Sequence, residues 1–195
     1  MAMGTVKILA FAGSTRTDSY NKKLVKIAVE GARSAGAEVT LIDLRDFPMP
    51  LYDGDLEAAE GLPGPVQRLK QLMIDHHGLL ISTPEYNSSI PGVLKTTIDW
   101  VSRVGRDDEP ALVAYQGKTA ALLSASPGGF GASRSQAHVR AIFGYLGMYM
   151  MPEQLSISKA HEAFDATGAL KDARLQKSAQ EIGSKLVAFT QKMIS

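Results

Sequence analysis

Short unbroken apolar runs alternate along this chain with longer stretches in which apolar residues recur every three or four positions. The first run, residues 6–12, is closed by Gly13 and predicts a buried strand. Residues 20–35 then place Leu24, Ile27, Ala28 and Gly31 on one helical face, with Gly36 positioned to end the helix. Residues 39–42 predict a second strand, and the proline-rich stretch 47–51 can continue neither element, so it predicts a loop. Leu69, Leu72 and Met73 share one face of a helix over 66–75, which leads into a third strand over 78–82. Pro91 suits the first position of a helix whose apolar residues are Val93, Leu94, Ile98 and Val101. A fourth strand over 119–123, a helix over 133–146, a short fifth strand over 155–157 and a final helix over 169–194 complete the pattern.

Strands separated by helices throughout predict βαβ units, hence a parallel sheet with helices on both faces. Right-handed crossovers leave few topologies. Five such strands fit a three-layer α/β/α sandwich in the doubly wound order 2-1-3-4-5. No internal repeat, low-complexity tract or linker divides residues 1–195, so they predict one domain. In open sheets of this kind ligands sit beyond the carboxyl ends of the strands, where the strand order reverses. That rule directs attention to the segments after strands one, three and four.

Composition narrows the chemistry. Hydrophobic residues make up 45% and charged residues 21% of the 195, the balance of a globular domain rather than a disordered one. Lys+Arg 21 against Asp+Glu 20 gives a net charge of +1, which offers no electrostatic footprint for nucleic acid or a membrane surface. The chain has no cysteine, which excludes disulfides, thiolate nucleophiles and Cys-ligated clusters. Redox chemistry therefore requires a bound cofactor. No apolar run reaches the ~20 residues that cross a bilayer, and residues 1–12 lack the features of a signal peptide. The expected location is cytoplasmic.

After strand one comes Gly13-Ser14-Thr15-Arg16-Thr17-Asp18-Ser19-Tyr20-Asn21. Glycine allows a tight turn, the hydroxyls donate, and Arg16 offers a charged fork beside a helix N-terminus that favours anions. A phosphate monoester fits such a loop; so does a plain capped helix start with Asp18 or Ser19 as N-cap. The Gly-Lys-Ser/Thr ending of a triphosphate loop is missing. After strand three, Thr83-Pro84-Glu85-Tyr86-Asn87-Ser88-Ser89-Ile90-Pro91-Gly92 combines stiffening prolines with an aromatic surface and donors, the needs of a flat redox ring. An ordinary turn would read the same way. After strand four, the run from Ser124 to Arg134 holds Gly128, Gly129 and Gly131. It is a poor dinucleotide motif, because Arg134 stands at the third glycine position. It is a better close-approach loop, or a helix lead-in without ligand. His76 and His77 read as a surface pair, without metal spacing. His138 reads as packing, Trp100 as core or subunit interface, and Met148, Met150 and Met151 as core or interface filler.

Gly13-Ser14-x-Arg16-x-x-Ser19-x-Asn21, Pro84-Glu85-Tyr86-Asn87 with Ile90-Pro91-Gly92-x-Leu94-Lys95, and Ser126-Pro127-Gly128-Gly129-x-Gly131-x-x-Arg134-x-Gln136 together resemble the NADPH-dependent FMN reductase family. That family is flavodoxin-like and includes chromate, quinone and azo-dye reductases. The similarity runs from Val6 to Leu155 and includes the loop Pro48-Met49-Pro50-Leu51-Tyr52. The resemblance implies that Ser14, Arg16, Ser19 and Asn21 hold the FMN phosphate, with Tyr20 beside them in the cofactor-binding set. It implies that Pro84, Glu85, Tyr86, Asn87 and Ser88 line the ring and ribityl side, and that Ser126, Gly128, Gly129 and Gly131 border the opposite edge. Arg134 would lie near the nicotinamide or anchor its own loop, and Tyr52 would lie on the substrate side. Ala132 and Ser133 depart from the glycine or alanine common at those positions.

The implied activity is hydride transfer from NADPH or NADH to N5 of bound FMN, then electron transfer to a quinone, chromate, azo dye or flavin, with ping-pong kinetics. The cofactor carries that chemistry, so no catalytic side chain and no metal are nominated. The resemblance also implies a homodimer or homotetramer, with Trp100, Arg103 and residues 48–53 as interface candidates. Two rival readings stand beside it: a flavodoxin-type electron carrier, which usually shows a strongly acidic face that a net charge of +1 does not support, and a non-catalytic binder of FMN or another phosphorylated ligand.

Overall fold

A computed structural model describes residues 4–194; Met1–Met3, part of the N-terminal signal-peptide reading, lie outside the described residues. The chain runs β1 (Lys7–Ala12), α1 (Tyr20–Ser34), β2 (Glu38–Ile42), a 3-10 turn (Leu44–Asp46), α2 (Gly54–Glu60), α3 (Gly64–Asp75) and β3 (Gly78–Thr83). It continues with α4 (Gly92–Val101), β4 (Thr119–Ala125), α5 (Ser133–Tyr145), β5 (Tyr149–Ile157), α6 (Ala160–Ala163) and α7 (Ala173–Ile194). All strand pairs are parallel, in the order β2-β1-β3-β4-β5.

Burial explains which strands were easy to see. Every residue of β3 and β4 is buried, because helices cover both faces of the central sheet, and such strands read as continuous apolar runs. The edge strands β2 and β5 are only partly buried. β5 is nine residues long, far more than the expected 155–157, and its exposed Pro152, Glu153 and Gln154 sit where β4 shifts register between Ala120 and Leu122. Proline and a register irregularity are at home on an edge.

The helices split into two layers with separate cores. Leu24, Ile27 and Ala28 of α1 pack with Ile182, Leu186 and Val187 of α7 on one face. Leu69 and Met73 of α3, Leu94, Ile98 and Trp100 of α4, and Val139 and Phe143 of α5 cover the other. The chain leaves β1 through α1 on one side and leaves β3 through α4 on the opposite side, which opens a crevice at the carboxyl ends of this adjacent pair.

Besides β5 and the short α6, which was also not predicted, several helix boundaries differ from expectation. α2 was not predicted: it buries no residue, so it has no apolar face to read, and it is started by Asp53, whose carboxylate accepts from the Asp55 and Leu56 amides. α3 begins at Gly64, and Pro91 caps α4 rather than opening it. The last helix begins at Ala173, because the Asp165 carboxylate holds residues 165–169 in a turn and the Asp172 carboxylate accepts from the Arg174 and Leu175 amides.

Candidate active site

The first wall grows directly from β1. The Gly13 amide donates to the Ser82 carbonyl at 2.9 Å, and a Cβ there would lie 3.1 Å from Leu94 Cδ2, so the turn out of β1 passes close under α4. Ser14 is buried, and its Oγ accepts from the Arg16 amide at 3.3 Å, which curls the loop inward. Ser19 stands at the N-cap of α1 with extended backbone, yet its hydroxyl makes no capping bond. The first amides of the helix are therefore left to an external acceptor. Among the described residues Arg16 has no carboxylate partner, which leaves its charge for the same acceptor.

A second arginine fixes this loop from outside. Arg45 Nε donates to the Thr15 carbonyl at 3.2 Å, and its terminal nitrogen donates to the same carbonyl and to Thr17 Oγ1 at 3.0 Å. Arg45 sits in the 3-10 turn, whose cap Asp43 is paired with Lys22 at 2.5 Å. Burial pushes the Asp43 carboxyl up, but the Lys22 and Arg45 contacts outweigh it and hold the group below the usual carboxylate range. Sequence reasoning passed over Arg45, since nothing local to position 45 signals a contact thirty residues away.

Asn21 lines a cavity with Ser14, Arg16 and Ser19, with its side-chain amide engaged by the protein itself. It is buried; its Nδ2 donates to the Ala125 carbonyl at 2.9 Å, and its Oδ1 accepts from the Ala125 amide at 2.9 Å and from Ser82 Oγ at 2.8 Å. This amide ties the start of α1 to the ends of β3 and β4, so its contribution to a phosphate site is to hold the wall in position.

The second wall is a tight hairpin turn. Tyr86 and Ser89 exchange main-chain bonds of 3.0 and 3.1 Å, with Asn87 and Ser88 at φ 50° and 63°. Two consecutive left-handed residues make this a two-residue turn of the primed kind. Tyr86 is left half exposed, and Ser89 Oγ lies 2.9 Å from His138 Nδ1 on α5, so His138 is a tether rather than core packing.

The third wall is the loop before α5. Ser124 Oγ donates to the Gly131 carbonyl at 2.5 Å and accepts from Gln136 Nε2 at 2.6 Å. Gly131 has φ +57°, and a Cβ there would sit 2.9 Å from Ile157 backbone, so no side chain fits. Ala132, the α5 N-cap, is also left-handed and caps nothing with its side chain. Glu85 supplies that cap from the second wall: its carboxylate accepts from the Arg134 amide at 3.1 Å, the Ser135 amide at 3.4 Å and Arg134 Nε at 2.8 Å. Of the two roles left open for Arg134, its own loop's anchor is the one these contacts describe.

These walls meet in a cavity of about 60 Å³ lined by Ser14, Arg16, Ser19, Tyr20, Asn21, Pro84, Glu85, Tyr86 and Ser126, with Ala125 and Pro127. Asn87 and Ser88 lie at the hairpin tip, Gly128, Gly129 and Gly131 on the adjoining loop, and Arg134 in the first turn of α5. The volume suits a phosphate-sized group and not a tricyclic ring. The donor set, a free guanidinium with hydroxyls and uncapped helix amides, fits the phosphate of FMN. A larger groove of about 750 Å³ shares Ser19 but lies along α1, where Lys22, Lys23 and Lys26 face Asp18, Asp43 and Asp46. Its charges are mixed, so it is the weaker anion site.

Three predicted residues lie apart from the cavity. Tyr52 lines a different pocket: its hydroxyl donates to Glu57 at 2.8 Å, its ring meets Trp100 edge-on at 5.1 Å, and the Arg103 guanidinium lies over it at 5.7 Å. The hydrogen bond to Glu57 pushes the Tyr52 phenol up. Trp100 is fully buried and donates to the Pro50 carbonyl at 2.9 Å, so it is core rather than interface. His76 is buried as well, within 2.8 Å of Thr40 Oγ1, which removes half of the expected surface pair.

A parallel sheet in this order, with a cavity lined by Arg16 at its switch point, places the protein among the flavodoxin-like α/β folds. Residues 6–162 match the model of the NADPH-dependent FMN reductase family, and the chain belongs to that family. It is 37% identical over 177 residues, 90% of each chain, to an NAD(P)H-dependent FMN reductase of Pseudomonas aeruginosa. It is 32% identical over 185 residues to a 2-hydroxy-1,4-benzoquinone reductase of a Burkholderia species, covering 94% of this chain and 96% of the relative. Among solved structures, the flavoenzyme NAD(P)H:(acceptor) oxidoreductase FerB of Paracoccus denitrificans aligns with a TM-score of 0.77 and 31% identity, over 96% of this chain and 98% of that one. The protein is thus an FMN-dependent, NAD(P)H-linked oxidoreductase. No helix among the described residues is long and apolar enough to cross a membrane.

Proposed function

We propose that the crevice between the β1–α1 loop and the Pro84–Ser89 hairpin seats FMN and that the protein reduces a quinone-type acceptor at the expense of NADPH or NADH by alternating half-reactions. The observation that carries this reading is Arg16: a cation with no carboxylate partner among the described residues, beside uncapped helix amides, in a cavity of phosphate size. Bound there, FMN supplies a ring that takes a hydride from reduced nicotinamide and passes electrons to the acceptor. The chain's part is to grip and orient. Arg45 and Asn21 hold the phosphate loop rigid, the hairpin presents Tyr86 and the Asn87 and Ser88 donors, and Glu85 joins the hairpin to the glycine loop. The names of the relatives from Burkholderia and Escherichia coli support a quinone as acceptor.

The test is an absorbance spectrum of the protein reconstituted with FMN, then oxygen-free addition of NADPH and of NADH, then a quinone. Bleaching by the nicotinamide and recovery with the quinone are expected, with parallel double-reciprocal plots. A bound flavin that no nicotinamide reduces would make the protein a carrier instead. We further read the chain as a cytoplasmic homodimer or homotetramer, as its resemblance to the family implies. Sedimentation showing only monomer at micromolar concentration would reverse the assembly reading.

A further inference from the structure

Phe130 is 67% exposed, yet its ring has a charged partner. The Arg134 guanidinium lies over its ring at 4.6 Å, and Arg134 is itself clasped by Glu85 through Nε at 2.8 Å and a terminal nitrogen at 2.7 Å. Glu85 is almost buried and lines the phosphate-sized cavity, so a continuous chain of contacts runs from that cavity to the aromatic ring. The loop's base is fixed as well, since Ser124 holds the Gly131 carbonyl and the Gly131 backbone leaves no space for a side chain. The Arg134 guanidinium covers one face of a ring that is otherwise largely open to solvent.

We infer that Glu85, Arg134 and Phe130 form an arm that fixes an aromatic face at the mouth of the crevice, where it stacks on planar acceptors and favours them over non-planar ones. The inference rests on the flavin reading of the crevice and adds a specificity element to it. Phe130 touches the acceptor; Arg134 and Glu85 are positioning residues that act through it. Aromatic pairs are strengthened by offset or edge geometry, so a ring already held in place gives more discrimination than a mobile one.

The test uses the FMN-reconstituted full chain and compares kcat/KM for 1,4-naphthoquinone with that for ferricyanide, both driven by NADPH. For F130A the quinone-to-ferricyanide ratio is expected to fall about five- to ten-fold, through the quinone KM rather than kcat. F130L, which keeps the bulk but not the aromatic face, is expected to fall equally, and E85Q by about half as much on a logarithmic scale. A ratio within two-fold of the parent overturns the inference and leaves the flavin reading standing. F130A that loses flavin absorbance, or that sediments as a smaller species than the parent, also overturns it, because Phe130 then holds the cofactor or a second copy. A parent protein that takes up no FMN defeats the flavin reading itself.

Discussion

Where α1 meets α7, two helices touch backbone to backbone; where α3 and α4 flank the other face, buried polar side chains fasten the layer. A Cβ on Gly31 would lie 1.9 Å from the Gln180 carbonyl oxygen, and one on Gly183 would lie 1.9 Å from that of Ala28. On the opposite side Lys70 donates to Glu109 and to the Arg103 carbonyl, the Gly105 amide donates to Glu109 at 2.6 Å, and Trp100 donates to Pro50. The difference teaches a division of labour. The backbone-packed layer sets the position of α1, whose N-terminus is the proposed phosphate end of the site. The polar-fastened layer carries the long loops between elements.

The largest expected effect attacks the first layer. G183L would drive side-chain atoms into α1 backbone, a clash at or above the top of the ~1–3 kcal/mol range of overpacking and a large fraction of a domain's ~5–15 kcal/mol. Chemical denaturation should show no cooperative transition or a strongly lowered midpoint; a midpoint within the error of the parent would remove the backbone-contact account. Next, R16A deletes the free cation at the end of the same helix. Loss of a charge-assisted contact of ~1.5–3 kcal/mol lowers FMN affinity roughly 10- to 150-fold, read by fluorescence titration. Unaltered affinity would place the phosphate elsewhere.

The second layer should yield less. E109Q leaves the nearly buried Lys70 ammonium without its counter-charge and is expected to cost about 1–3 kcal/mol, while FMN affinity changes less than two-fold because the pair lies far from the cavity residues. A large loss of affinity with unchanged stability would erase the contrast between the layers.

The smallest effects are those of pH. Burial, then Lys118 and Lys7, hold the His77 imidazole below the ordinary histidine value, and its neutral Nδ1 accepts from the Lys7 amide at 3.0 Å. A base with a lowered folded value contributes stability above its unfolded value of about 6.5 and loses it as the pH falls below that. For Glu109, burial alone would raise the carboxyl, but the Gly105 amide and Lys70 outweigh it and leave it lowered, so its contribution fades only below about pH 4.3. Melting temperature against pH should therefore show two shallow steps on the acid side, the upper one absent in H77Q. A single step in both proteins would assign the upper one elsewhere.

How much of this was legible in the sequence depended on the range of the contact. β1, β3 and β4 announce themselves because burial on both faces leaves no charged position after Lys7 to interrupt the run, only small hydroxyls at the strand ends. β5 was read at a third of its length, since an edge strand tolerates Pro152 and Glu153. The loop after β1 could be read because hydroxyls, glycine and Arg16 are neighbours in sequence. Arg45 could not, nor could Glu85 as the cap of a helix that starts 48 residues later, nor Asn21 as a clasp on Ala125. Those side chains look ordinary in their own segments; the topology gives them their partners. The surroundings of Tyr52, expected on the substrate side, were hidden for the same reason: it lines a separate pocket, and Glu57, Trp100 and Arg103 surround it only once α2 and α4 are folded together.

Trp100 is the chain's one tryptophan, and its indole is sealed from solvent while bonded to the Pro50 carbonyl. Emission excited at its absorption edge is thus a private optical probe of a single sheet face, silent about the glycine-packed side. A red shift would signal that the proline loop has come away from α4 and let water in, even while α1 and α7 keep their far-ultraviolet dichroism.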